Sequence, residues 1–194
     1  MTVDIIIPTY KPDETLCLLL HKLQGQTFVV HRVIILNTEE KLWKQAAAAY
    51  PIEQVLKELP CEYEVFHIAK KDFDHGGTRQ FGAEHSDADV MVFMTQDAVP
   101  VDAYLIENLV RAMEEEEAAT AYGRQLPDDT VGVIEHYTRE FNYPAKSYVK
   151  SQKDLETMGI KTYFCSNVCA MYRKDVYEKM GGFVLHTIFN EDLI

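Results

Sequence analysis

Cysteine is scarce in this 194-residue chain, tryptophan occurs once, and basic residues are outnumbered. The four cysteines are Cys17, Cys61, Cys165 and Cys169. None forms a Cys-x-x-Cys pair, which argues against a structural zinc site and for free buried thiols. Lysine and arginine total 19 against 31 aspartates and glutamates, a formal charge of −12. Nucleic acid needs a basic face against its phosphates, so the charge argues against that partner. It leaves room for a small phosphorylated ligand held by a metal and one or two cations. No run approaches the roughly 18 apolar residues of a membrane span. No signal-peptide pattern opens the chain. The expected setting is the reducing cytoplasm, with any membrane contact a peripheral one at the inner face of the cell membrane.

What is present is ordinary for a globular domain: 47% apolar and 26% charged residues. A chain of this length buries roughly 70% of its unfolded surface and supports a sizeable core without staples. Val3 to Ile7 reads as a buried strand stopped by Pro8. Pro12, Asp13 and Glu14 open a helix with Leu16, Leu19, Leu20 and Leu23 on one face. Arg32 to Leu36, Glu62 to Ile68, Val90 to Met94 and Ala118 to Tyr122 are further strands. Between them lie an alanine-rich helix from Glu39 to Tyr50, a shorter one after Pro51, a helix from Thr78 to His85, and one carrying Ile106, Leu109, Val110 and Met113. This alternation predicts an α/β domain, a mostly parallel sheet with helices on both faces.

The pattern changes after Gly123. Arg124 to Thr162 is rich in tyrosine and weakly periodic, which predicts a helix and loops over one sheet edge. Strand character returns at Phe164 to Tyr172, followed by a short helix from Lys174 to Met180 closed by Gly181 and Gly182. Asn190 to Ile194 reads as the first turn of a helix, so the domain is expected to continue past residue 194; a C-terminal strand is the alternative. The expectation is one domain of two halves, 1–123 built on the regular alternation and 124–194 covering one edge of its sheet as part of a binding cleft.

Ligands of an open parallel sheet bind beyond the carboxyl ends of its strands. The residues there are Pro8, Thr9 and Tyr10, then Asn37, Thr38 and Glu39, then Asp72 to Gln80, and then Thr95, Gln96 and Asp97. Amide partners, an arginine and a carboxylate that could hold a divalent ion suit a nucleotide diphosphate. Singly, each has a plainer structural reading. Pro8 could end a strand, Gly76-Gly77 could be a turn, Arg79 a solvated charge, His75 a loop histidine and Asp97 a cap. Gly76-Gly77 fits neither a Walker A loop nor the dinucleotide fingerprint.

The order of these segments resembles family 2 glycosyltransferases, particularly the rhamnosyltransferase-like branch. The likeness runs from Ile5-Ile6-Ile7-Pro8-Thr9-Tyr10 through the stretch Phe73 to Asp102, where it is strongest. It continues in Tyr122-Gly123-Arg124-Gln125, Phe141-Asn142-Tyr143-Pro144, Ser166-Asn167, Gly181-Gly182-Phe183 and Glu191-Asp192. The resemblance implies a glycosyltransferase A fold (Rossmann-like) and a uridine or thymidine diphosphate sugar as donor. It implies that Pro8, Thr9 and Tyr10 hold base and ribose, with Asn37 and Glu39 in a second nucleotide-contacting segment and Gln96 beside them. Arg79 matches a residue near the donor phosphates or base. Asp97 matches the last acid of the Asp-x-Asp metal motif, whose cation would be Mg2+ or Mn2+. Asp192 matches the catalytic base. Asn167, Gly182, Phe183 and Glu191 would shape the acceptor side, where a saccharide or lipid-linked saccharide is expected. Two positions depart from the pattern: Asn37 stands where the family often has aspartate, and Thr95 replaces the first acid of the metal motif.

The implied reaction is inverting transfer, in cell-surface polysaccharide synthesis and with rhamnose suggested by the branch alone. A hydrolase would need a paired acid and base across the bond. A nucleotidyltransferase remains a rival, although Pro8-Thr9-Tyr10-Lys11-Pro12 is not its expected glycine-rich basic loop. An inactive nucleotide-sugar-binding module is the other, supported by the Asn37 and Thr95 departures.

Overall fold

A computed structural model describes residues 1–127 and 132–185. Among them, β1 (Val3–Tyr10), α1 (Glu14–Gln24), β2 (Arg32–Thr38), α2 (Glu40–Ala49), α3 (Ile52–Lys57) and β3 (Glu62–Ile68) alternate as expected. A 3-10 turn at Lys70–Asp72 leads to α4 (His75–His85), β4 (Val90–Met94), α5 (Leu105–Glu115) and β5 (Thr120–Tyr122). Then come α6 (Val133–Asn142), the short α7 (Leu155–Met158) between two 3-10 turns, β6 (Cys169–Arg173) and α8 (Lys174–Met180).

The sheet order is β3-β2-β1-β4-β6-β5. The first four strands are mutually parallel, and β6 runs antiparallel to both its neighbours. The expectation of a mostly parallel sheet holds. Side chains of a strand alternate between faces, and here both faces are covered. Ile5, Ile7, Val33, Ile35, Val90, Val92 and Met94 join a large core beneath α1, α3 and α5. Ile6, Ile34, Leu36, Met91 and Phe93 join a smaller core on the opposite face. Strands buried on both faces become continuous apolar runs, which is why β1, β2 and β4 stand out in the sequence, whereas the edge strand β3 alternates polar and apolar residues.

Several boundaries differ from expectation, among them β2, which runs on through Asn37 to Thr38. β1 runs through Pro8 to Tyr10. Its pairing with β4 stops at Ile6–Phe93, so Pro8 has a strand neighbour only on the β2 side, and a strand position with one side unpaired tolerates a missing N–H. α4 begins three residues before Thr78, because the Asp74 side chain accepts the Gly77 N–H and caps the helix. Gly76 and Gly77 therefore belong to a helical first turn. β5 starts at Thr120 rather than Ala118. β6 starts at Cys169, and Phe164 to Val168 is not strand.

Gly82 shows how tightly α4 lies on the sheet. A Cβ there would sit 2.6 Å from Ile6 Cγ2 and 2.8 Å from a Leu36 methyl. After α8, Gly181 takes φ 93°, a left-handed cap that favours glycine. No helix among the described residues is long and apolar enough to cross a membrane.

Candidate functional site

The parallel register carries polar side chains to one edge. Thr9 pairs with Asn37, and Asn37 with His67, in a row across β1, β2 and β3. Thr9 Oγ1 donates to Asn37 Oδ1 at 3.4 Å, and Asn37 Nδ2 lies 3.0 Å from His67 Nδ1. An amide nitrogen only donates, so in this arrangement Nδ1 accepts and the imidazole carries its proton on Nε2. Asn37 is fully buried and His67 exposed, so the row leads from the core floor to solvent. Sequence reasoning missed His67. Its place one residue before the end of β3, in step with Asn37, was the available signal.

Gln96 ties the divergent ends of β1 and β4. Its Oε1 accepts the Tyr10 N–H at 3.0 Å, and its Nε2 donates to the Tyr10 carbonyl at 3.3 Å. Tyr10 is thereby held with its ring exposed. Lys11 and Lys70 place their ammonium groups 5.3 and 5.9 Å from the ring centroid. These two cations also escaped the sequence reading. Lys11 and Glu39, directly after β1 and β2, take φ of 50° and 71°. Non-glycine residues rarely occupy that region, and such strain clusters at functional sites. Glu39 accepts the backbone N–H of Lys70, pinning the loop after β3.

Beside this row, a recess of about 370 Å³ is lined by His67, Asp72, Asp74, Thr78, Phe81 and Leu185 among others. Arg79 is 7% exposed, and its Nη1 donates to the His75 carbonyl at 3.1 Å. Its charge lies inside the first turns of α4, under the recess wall rather than in solvent.

Asp97 is exposed in the turn after β4. Two residues earlier, Thr95 Oγ1 is buried with no hydrogen-bond partner among the described residues. Hard divalent cations take oxygen ligands, and Mg2+ keeps several waters with one or two carboxylates plus substrate phosphates. One accessible carboxylate at this edge, two residues on from that hydroxyl in the chain, fits that kind of ion. A second set of ligating side chains, Asp4, His31 and Asp87, has its donor atoms within 4.8 Å of one another. It lies at the amino end of β1 and β2, away from Asp97. Arg32 already supplies the cation there, 3.3 Å from Asp4 and 2.8 Å from Asp87.

On the other side of β4, Asn167 is buried and its Oδ1 accepts from the Tyr172 hydroxyl at 2.8 Å. Gly182 takes φ 76°, and a Cβ there would meet Gln80 Oε1 at 2.1 Å. Phe183 packs edge-on against Phe93, Tyr172 and Tyr177 in the smaller core. It supports the site from below instead of lining the recess. The Tyr177 hydroxyl donates to Gln80 and accepts the Phe183 N–H, and burial pushes its pKa up to about 12. Glu191 and Asp192 lie outside the described residues.

The structure thus brings Thr9, Tyr10, Asn37, Glu39, Gln96 and Asp97 to one edge, with Arg79 behind it. The model of the family described as "Glycosyl transferase family 2" matches residues 4–181. The chain is 39% identical over 194 residues to the O-antigen chain rhamnosyltransferase RfbN of Salmonella typhimurium, covering all of this chain and 59% of that protein. It is 39% identical over 127 residues to the O-antigen chain rhamnosyltransferase WbaN of Salmonella anatum, covering 65% of this chain and 40% of that one. Among solved structures, S. aureus TarS 1-349 in complex with UDP-GlcNAc superposes with a TM-score of 0.69 at 16% identity, over all of this chain and 51% of that one. This chain therefore spans under two thirds of the length of the relatives it matches.

Proposed function

The chain belongs to glycosyl transferase family 2, and from that premise we propose that it transfers a sugar, with inversion, from a nucleoside diphosphate donor to a saccharide acceptor. Its fold is the α/β glycosyltransferase A fold. The observation that carries the reading is the hydrogen-bonded row Thr9–Asn37–His67 ending beside Tyr10, with Asp97 on the same edge. The relatives' names speak for rhamnose as the sugar and an O-antigen chain as the product class. A uridine or thymidine diphosphate donor and a lipid-linked acceptor belong to the same proposal, as does the reaction's place at the cytoplasmic face of the membrane.

Each residue has a defined task in this reading. The Tyr10 ring offers a flat face for a base, and Gln96 fixes its backbone. The Asn37 and His67 pair offers an oriented polar edge at the rim. Arg79 contributes fixed positive charge near the phosphates. Asp97, with Thr95 close by, would hold a divalent cation, Mg2+ or Mn2+; such an ion, when bound, neutralises charge on the diphosphate leaving group. Asp192 is assigned the proton of the attacking hydroxyl on the family resemblance. A carboxylate suffices as base if it is ionised and within hydrogen-bond reach.

The test is turnover of a panel of uridine and thymidine diphosphate sugars by the intact protein with Mn2+, followed by product stereochemistry. Transfer with inverted anomeric configuration is expected. Binding of the donors with no transfer to any saccharide acceptor would favour a binding module instead.

A further inference from the structure

Strand β5 extends the ligand edge beyond β4. It runs antiparallel to β6, and β6 runs antiparallel to β4, so β5 points the same way as β4. Residues past its carboxyl end therefore leave the sheet on the side of Thr95, Gln96 and Asp97. The register fixes their level. Phe93 and Tyr122 both pair with Ala170. The Gly123 N–H meets the carbonyl of Cys169, whose strand partner is Met94. Arg124 thus stands level with Thr95, two strand spacings or roughly 10 Å across the sheet.

Arg124 is exposed, yet it is held in a set pose. Its Nε donates to the Tyr143 carbonyl at 3.0 Å. Tyr143 is buried, with its ring edge-on to Tyr122 and Phe164. The next residue, Gln125, donates to the Tyr143 hydroxyl and to Ser166 Oγ, and accepts from Arg139 at 3.0 Å. Helix α6 meets this corner through Arg139 and leaves its apolar residues Val133, Ile134, Tyr137 and Phe141 exposed. Gln125 is therefore occupied in holding the corner together. Arg124 is not: its two terminal nitrogens make no hydrogen bond or ion pair among the described residues.

A guanidinium anchored through Nε keeps Nη1 and Nη2 as a free fork, which can grip a phosphate or carboxylate with two parallel bonds. Anchoring also removes part of the ordering cost of such a grip. The strand order says which ligand meets it. In the transfer reading, base and ribose lie along β1 to β3, and the diphosphate lies at Asp97 after β4. The edge continues past Asp97 to β6 and β5, on the side away from the nucleoside. A fixed cation there faces the acceptor. The chain carries −12 overall, so an anion finds no general attraction and needs a placed positive charge.

We propose that Arg124 is a specificity residue for the acceptor, binding an anionic group, phosphate or carboxylate, on the attacking saccharide. This rests on the transfer reading for the position of the donor.

Calorimetry on the intact protein with Mn2+ tests it. UDP and dTDP are titrated first. With the tighter nucleotide saturating, glucose 1-phosphate, glucuronic acid and the neutral methyl glucoside follow. At least one anionic sugar should bind about tenfold more tightly than the methyl glucoside. Arg124→Gln should weaken that sugar about tenfold, through loss of a charge-assisted pair, and leave nucleotide and methyl glucoside unchanged. Arg124→Lys keeps the charge without the fork and should weaken it about threefold; it carries the test if the glutamine variant does not fold. A preference for glucose 1-phosphate marks a phosphate-bearing acceptor, and one for glucuronic acid a carboxylate-bearing one. Anionic sugars that bind no better than the methyl glucoside, or equally well to both variants, overturn the proposal while nucleotide binding leaves the transfer reading standing. Weaker nucleotide binding in the variants also overturns it, because Arg124 would then serve the donor. Failure of both nucleotides to bind the unmutated protein sinks the transfer reading, and the acceptor role with it.

Discussion

The four parallel strands and the segment after Gly123 bury apolar surface in opposite ways. In β1, β2 and β4, successive residues go alternately into two cores, and most of the strand is inaccessible to water. After Gly123, the apolar stripe of α6 points outward, and order comes from a cluster of Tyr122, Tyr143 and Phe164 with Lys150 lying against the Tyr122 and Phe164 rings. Burial of the Lys150 ammonium lowers its pKa, and burial raises that of Tyr122. The first region is a rigid frame that positions a nucleotide edge. The second leaves the apolar side chains of α6 exposed. Hydrophobic patterning marks the first strongly and the second only weakly, and only packing says whether an apolar face is core or exposed.

The largest effect expected on this comparison lies beyond the frame. Asp192→Asn should cost roughly 10²–10⁴ in turnover with donor affinity little changed, because a sugar hydroxyl needs a base as the bond forms. Glu191→Gln should be milder. Single-turnover kinetics alongside donor calorimetry separates the two effects, and near-normal turnover would remove Asp192 from the role. Within the frame, Gly82→Ala should destabilise by about 1–3 kcal/mol, since neither Ile6 nor Leu36 can retreat from a dense core; chemical denaturation measures it. At the nucleotide edge, Asp97→Ala should abolish the gain in nucleotide affinity, roughly tenfold, that Mn2+ or Mg2+ confers. Equal affinity of the unmutated protein with and without chelator would break the metal assignment.

A smaller effect is set by pH. Burial raises the thiol of Cys169 to about 12 and that of Cys61 to about 11, from 9.0. A group whose folded pKa is raised keeps its proton more firmly in the folded state. Its stabilisation is complete below pH 9 and is lost as pH rises toward 11 and 12. Thermal stability should therefore be level near neutrality and decline above about pH 9, less steeply in a Cys169→Ser protein than in the parent. The smallest effect belongs to the second region. Val133→Ser should change stability by less than about 0.5 kcal/mol, as exposed positions do. A larger loss would show that α6 is packed after all.

Composition and pattern determined much of the frame. Apolar or alternating runs between turn residues marked all six strands, β1, β2 and β4 as β-branched or apolar stretches covered on both faces, whereas the starts of β5 and β6 were misplaced because short edge strands carry little pattern of their own. The end-of-strand rule then found Thr9, Tyr10, Asn37, Gln96 and Asp97, since in a parallel sheet chain order alone places those residues at one edge. Asp192 and Glu191 came from resemblance only. Tertiary structure decided the rest. Two adjacent glycines disfavour a helix locally, yet α4 starts there because Asp74 caps it. The row from Thr9 to His67 depends on register between three strands, which no local pattern encodes. Phe183 turned into the core because Tyr172 and Tyr177 hold it there, and the stripe of α6 turned outward because Arg139 takes the inner side. Periodicity specifies that a face exists; its direction is a property of whatever the rest of the chain packs against it.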